Sequence, residues 1–406
     1  MSEKDVFSLA ERRMAASGLR LNNERAVLTT VILHPGYSAA KISRVTGLGP
    51  QSVSRILVEL EAADLVRRGQ AQRGKRGQPA VPIFINPDGA FCVGCEIGWR
   101  RYHVLMRNIA GEVLFEEEGD YPYPDPDTLI QLISASARRM VERLPKKHQK
   151  RVSGLGVAMP GSFHRNVDLV GGKAETAVQW RDIDMQERLS EASGLDVLLI
   201  NDGNAACWAE LVVTPPPRPP DFAYLLVGEF VGAGLVAGGR LWDGPTGNSA
   251  DLGAMLVSDG KGNQTFVHLI ASIFALQQRL KEAGMKRPEG HPYEWDWERL
   301  EPVASTWIKD AGLALAKTII NANAVADFER AVVDGIMPRP IVERLVDSVR
   351  SNIEALPILA HDHPAIEIGR LGRSAPALGA ALRPMFHKFF SREFEDIANE
   401  KAAARA

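Results

Sequence analysis

The sequence predicts an α/β protein with a small, mostly helical N-terminal head and a larger body of two α/β lobes built alike. Three observations carry that expectation. Up to Ala62, apolar residues recur at helical spacing in three short runs, separated by Pro35-Gly36 and by Thr46-Gly47-Leu48-Gly49. Further on, FCVGCEIGWRRYHVLMRNIAGEVLFEEE and AYLLVGEFVGAGLVAGGRLWDG follow one design of strand, glycine turn, strand, turn and strand. Helix-periodic stretches alternate with buried-strand patterns around them, which is the signature of layered α/β structure. A chain of 406 residues also exceeds what one core serves, so two or three domains are expected.

The head reads as follows. Asn23–Leu33 is an amphipathic helix with Val27, Leu28, Val31 and Ile32 on one face, stopped at Pro35-Gly36. Ser38 is placed to cap a short second helix that turns Ala39, Ile42 and Val45 inward. After the glycine turn, Pro50 suits a first helical position, and Pro50–Ala62 repeats Val53, Ile56, Leu57 and Leu60 on one face. Three helices with a glycine turn before the third make a helix-turn-helix. Leu65–Arg68 and Val81–Ile85 then read as two strands around the polar tip GQAQRGKRGQP, a wing, and Asn86-Pro87-Asp88-Gly89 marks a domain boundary.

In the body, helices are expected at Thr128–Leu144 and Asp184–Ser193, with buried strands at Val152–Ala158 and Val197–Ile200. The proline-rich TPPPRPPD, from Thr214 to Asp221, separates the two halves. Cys92-x-x-Cys95 is read as buried thiols, because residues three apart in a strand face opposite sides and cannot share a metal.

Composition excludes several classes. Hydrophobic residues make up 45% and charged residues 24%, as in ordinary globular proteins. The charged N-terminal segment resembles no signal peptide, and no run approaches the roughly 18 apolar residues of a spanning helix. A cytoplasmic, membrane-free protein is expected, and three cysteines make no disulfide framework. The net charge of −2 hides an asymmetry: Met1–Ala80 holds 13 Lys+Arg against 7 Asp+Glu, so a basic head precedes an acidic body. Such a head suits a phosphate backbone, although a solvated basic face has the same composition.

The second helix of a helix-turn-helix lies in the major groove, with its N-terminal side chains at the base edges. Gln51, Ser52, Ser54 and Arg55 hold those positions, and Gln and Arg make bidentate contacts to adenine and guanine. Ser38 and Lys41 are placed for phosphate. In the wing, Arg73, Lys75, Arg76 and Gln78 sit among glycines that let the backbone approach a groove, where cations favour the negative minor-groove potential.

The helix-turn-helix, the GKRGQPA wing, GLGVAMPGSF, LINDGNAACWAE, GAGLVAGGRLWDGPTGNSADLG and IGRLGRSAPALGAAL together resemble the ROK family of repressors and sugar kinases, nearly end to end. The resemblance implies a two-lobed, actin-like or sugar-kinase-like (ribonuclease H-like) body, divided as 86–205 and 206–374 behind a head of 1–85, with 375–406 completing the first lobe. It also implies a duplex DNA operator, a sugar-like effector in the cleft, a homodimer or homotetramer, and release from DNA on a ligand or partner signal.

The departures from the family pattern bear on chemistry. Where its kinases have a DxGGTK-like phosphate turn, this chain reads Glu96-Ile97-Gly98-Trp99-Arg100-Arg101. The second turn, GTGxGxG-like in kinases, reads Gly228-Glu229-Phe230-Val231-Gly232-Ala233-Gly234, with a carboxylate that would repel triphosphate. Asp334-Gly335 replaces paired glycines near the adenosine. Asp202, with Asn201, matches the family's sugar-contacting carboxylate, and helix capping is its plainer role. Asp251 stands for the Glu of ExGH, Ala254 for its His, Thr176 for an upstream Asn, and His268 for a later Glu. The loop Ser258–Phe266 has none of the cysteines that hold zinc in relatives. No cofactor, no structural zinc and no catalysis are therefore expected. A sugar kinase with a DNA-binding head, and a scaffold whose body only oligomerises and binds a protein partner, are the competing readings.

Overall fold

The computed structural model describes residues 16–71, 81–215, 218–260, 262–357 and 362–390. The head begins with α1 (Ala16–Leu33), α2 (Ala39–Thr46) and α3 (Pro50–Ala62). The first helix already runs through the seven residues before Asn23, where no apolar periodicity marks it. The second ends at Gly47, whose φ of +68° is unstrained only for glycine. Ser38 occupies the N-cap position, but its side chain makes no capping hydrogen bond, against expectation. The wing strands β1 (Val66–Arg68) and β2 (Ile83–Ile85) pair antiparallel, with Val66 opposite Ile85. Arg73, Lys75, Arg76 and Gln78 of the wing tip lie outside the described residues.

The repeat seen in the sequence is a repeat of topology. In the first lobe β3 (Phe91–Ile97), β4 (Arg101–Asn108) and β5 (Val113–Asp120) form an antiparallel meander. After helix α4 (Pro126–Arg143), β6 (Val152–Met159) joins parallel to β3. Helices α5 (Ala174–Asp182) and α6 (Met185–Ser193) precede β7 (Val197–Asn201), which joins parallel to β6. The sheet order is β5-β4-β3-β6-β7. Helix α7 (Asp202–Val213) leads to the second lobe, where β8 (Phe222–Val227), β9 (Val231–Ala237) and β10 (Arg240–Leu241) form the same meander. A two-stranded ribbon, β11 (Leu256–Ser258) and β12 (Gln264–Phe266), follows. Helix α8 (Val303–Ala326), β13 (Arg330–Gly335), α9 (Arg339–Ala355) and β14 (Ala365–Ile368) complete the order β10-β9-β8-β13-β14.

The last described helix, α10 (Ala375–Phe389), crosses back onto β3 and β6 of the first sheet. Small residues make that crossing close. A Cβ on Gly156 would lie 1.8 Å from the Ala380 carbonyl oxygen, and one on Gly379 would lie 1.8 Å from that of Ala205. Helix α7, which contains Ala205, therefore meets α10 backbone to backbone.

The thiol reading holds: Cys95 packs in the first-lobe core with Val104 and Ile133, while Cys92 faces the opposite side and joins the core of the head. That second core runs from Val27, Leu28 and Ile56 through Ile85 to Ala90, Leu105, Ala381, Met385 and Phe390. Two polar contacts reinforce it. Arg151 pairs with Asp64 at 2.6 Å and donates to the Asp88 carbonyl at 2.9 Å, and Arg25 donates to the His387 carbonyl at 2.8 Å. Among the described residues no helix is long and apolar enough to cross a membrane.

Candidate functional site

The exposed face of the head carries the side chains expected there. Val53, Ile56, Leu57 and Leu60 of α3 are buried, which leaves Gln51, Ser54 and Arg55 exposed and Ser52 half-buried. Lys41 is exposed on α2, its ammonium 5.0 Å from the Tyr37 ring centroid, and Ser38 is half-buried at the start of that helix. The four polar positions of α3 thus lie at the N-terminal end of a helix whose other face is fixed by core packing.

The cleft between the lobes is closed at one end by the two turns that depart from the family pattern. Each turn joins the first two strands of its lobe's meander, so the repeat sets them facing one another. Arg100 donates from Nε to Glu229 Oε1 at 3.1 Å and from Nη1 to the Pro122 carbonyl at 2.6 Å. Gln277 donates to the other oxygen of Glu229 at 3.4 Å. Trp99 is buried between Phe163 and Phe230, with ring centroids 4.7 and 4.8 Å away in edge-to-face geometry. An ion pair and an edge-to-face aromatic contact from opposite lobes thus bridge the turns, leaving between them a cavity of about 110 Å³. Asp334 is buried as well: it accepts from Gly335 N at 2.8 Å, Gly372 N at 2.7 Å and the Tyr224 hydroxyl at 3.2 Å. Its carboxylate braces β13 against the turn that leads into α10.

Beyond Trp99 and Phe230 opens a cavity of about 470 Å³ that includes Asn201, Asp202, Asp251 and His268 in its lining. Asn201 is the N-cap of α7, accepting from Asn204 N at 3.1 Å, and it donates to Asn248 across the cleft at 3.0 Å. The capping role considered for Asp202 thus belongs to its neighbour. Asp202 Oδ1 accepts the adjacent Gly203 N–H, at 2.9 Å, and its carboxylate remains at the cavity floor. His268 accepts the Val231 N–H at Nδ1, 3.1 Å away, so its neutral form carries the proton on Nε2, which faces Asp251 Oδ1 at 3.6 Å. Gly253 makes room for that imidazole, since a Cβ there would meet the ring at 2.1 Å. Ala250, beside Asp251, holds φ at +59°, a strained setting for a residue with a side chain.

Thr176 does not join this group. It is buried on α5, while Ser162, Arg165 and Asn166 line the cavity from the segment after β6. That segment was readable, because ligands in such sheets gather at the carboxyl ends of parallel strands, and GLGVAMPGSF is one such end. Asn248 had no comparable signal, since only the fold brings its loop to Asn201.

Two carboxyl groups at the cleft, Asp202 and Glu96, are raised in pKa. Burial lifts Asp202 to about 6; the Gly203 N–H and its own backbone act the other way, and the Asp251 charge adds to the rise. Burial, then the Asp202 charge, lifts Glu96 to about 8, with Arg101 opposing. Near neutral pH the pair therefore shares its roles: Glu96 holds a proton and Asp202 is free to accept one.

A head with an exposed polar recognition helix, on two lobes of one repeated topology, defines a nucleic-acid-binding module joined to a sugar-kinase-like body. The chain belongs to the ROK family, whose model matches residues 92–383, and the MarR family model matches residues 17–77 of the head. A xylose repressor of Bacillus spizizenii is 24% identical over 375 residues, 88% of this chain and 93% of that protein. A crystal structure of a ROK family transcriptional regulator, a homologue of the Escherichia coli Mlc protein, superposes with a TM-score of 0.66. It has 20% identity and covers 95% of this chain and 99% of that one. The ROK family glucokinase of Streptomyces griseus superposes with a TM-score of 0.58 at 20% identity, covering 72% of this chain and 99% of the kinase. The fold is shared with both, and the head with the regulator.

Proposed function

We propose that this chain is a sequence-specific, DNA-binding transcriptional repressor. Its body senses a small molecule of the sugar or sugar-derivative class, or a protein partner, and transfers no phosphate. Family membership supports the regulator, as does the xylose repressor of Bacillus spizizenii, which is matched over 93% of its length. On this reading Gln51, Ser52, Ser54 and Arg55 address base edges, Ser38 and Lys41 the phosphates, and the operator is duplex DNA bound by a homodimer or homotetramer. Asp202, Asp251 and His268 present two carboxylates and an imidazole N–H to an effector, a set that hydrogen-bonds hydroxyl groups from both sides.

The observation that carries the loss of kinase chemistry is the Arg100–Glu229 ion pair between the two phosphate turns. Phosphoryl transfer depends on positioning and on neutralising charge at the phosphates, and here the cation is engaged by a carboxylate of the protein itself. The test is ATP turnover by the full chain with magnesium and a panel of hexoses, pentoses and amino sugars. No sugar-dependent turnover is expected. Turnover abolished by Asp202→Asn would establish the kinase reading instead.

A further inference from the structure

We infer that His103, Glu116 and Glu118 form a binding site for one divalent transition-metal ion on the first lobe, outside the sugar cavity and outside the loop where relatives carry cysteines. The histidine and the two glutamates lie on different strands and come together by strand register. His103 stands directly opposite Glu118 across the β4–β5 pair, and Glu116 is its diagonal neighbour, opposite Leu105. One ligand atom from each residue lies within 4.8 Å of the other two.

The imidazole is what marks the cluster as more than acidic surface. The His103 side chain is 4% exposed, and its Nε2 has no hydrogen-bond partner, although it faces Glu116 Oε2 at 3.5 Å and Glu118 Oε1 at 3.6 Å. Those separations are longer than the roughly 2.7–3.2 Å range of a sound N–H···O bond. They match the edge of a tetrahedron around a metal, about 3.4 Å for ligands near 2.1 Å from the ion. As a neutral imidazole the ring has one nitrogen lone pair to give. With its proton on Nδ1, that lone pair would face two carboxylate oxygens. With its proton on Nε2, the N–H would reach neither of them well. A cation between the three atoms resolves both conflicts.

The neighbouring charges shape the site. Arg101 and Arg373 both hold the other oxygen of Glu118, Oε2, which leaves Oε1 turned toward His103. The two guanidiniums also repel a cation, so the affinity is moderate and the ion exchangeable. One nitrogen and two oxygens suit zinc, cobalt or nickel better than magnesium or calcium, which prefer all-oxygen sets of six or more. Water completes the fourth position, next to Glu116, which is 64% exposed.

Zinc chloride and cobalt(II) chloride, titrated separately into the tag-free full chain after chelation and desalting, test the site. One saturable equivalent per chain is expected, with cobalt showing the visible absorption of four-coordinate geometry. His103→Gln and Glu116→Gln should each weaken binding at least tenfold. Because Glu116 is exposed, its variant keeps the fold, and an unchanged melting temperature without metal will show that it does. Absence of saturable binding, binding indifferent to Glu116→Gln, or a near-ultraviolet thiolate-to-cobalt band placing the ion on cysteine would overturn the inference.

Discussion

At the scale of single residues, chemistry and position were legible to different degrees. Asp202, Asp251 and His268 line one cavity, and each sits in or beside a motif whose order along the chain is distinctive. Thr176, which was matched to a family Asn, is buried on α5 and outside the cavity lining. The chain between β6 and α5 instead folds so that Asn166 reaches the cavity. The Glu96–Asp202 pair was invisible beforehand, since it depends on two strand ends meeting. It yields a prediction whose sign follows from the raised pKa of Glu96. Between about pH 4.5 and 8 the folded chain holds a proton that the unfolded chain releases, so this group makes stability fall as pH rises through that window. Glu96→Gln should remove that part of the slope, leaving the variant more stable than wild type at pH 8 but not at pH 4.5. Paired urea titrations at several pH values, compared as differences so that other groups cancel, measure it.

At the scale of elements, helices α2 and α3 were predicted within a residue or two and the strand order of both meanders was legible, because apolar spacing and glycine turns report burial and chain reversal directly. The first helix was read too short, since the sequence before Asn23 carries no apolar period that would mark it as helix. The role of the small-residue run in α10 could not be read either. APALGAAL looks like any helix former, and only the packing shows that Gly379 lies against the α7 backbone. Gly379→Ala must therefore push two helices apart. It should cost about 1–3 kcal/mol, the usual penalty for overpacking, and chemical denaturation against wild type measures it. Gly171→Ala separates this steric effect from backbone strain, since its Cβ would meet nothing within 4 Å and only its φ of +89° resists the change.

At the scale of the molecule, the two-lobed plan was legible through the repeated meander, but the docking of the head was not. A domain boundary was read at Asn86–Gly89, yet the head's core continues past it through Ala90 and Leu105 to Met385 and Phe390. The end of α10 is thus a shared wall between head and body, and α7, which begins at the cavity, packs along α10 and touches it through Trp208 and Phe386. Phe390→Ala should leave a cavity at that wall and cost about 3–5 kcal/mol of local stability, as for other buried aromatics. Hydrogen exchange should show the loss in α1 and the end of α10 before it reaches the second lobe. The measurement closest to the central claim is selection of genomic duplex fragments by the full chain at low salt, with Arg55→Ala in parallel. The account predicts enrichment of a discrete sequence, bound roughly 5- to 150-fold more weakly by the variant, which is about 1–3 kcal/mol for a lost bidentate base contact. A chain that enriches no sequence, or enriches one with Arg55→Ala as strong as wild type, would contradict it.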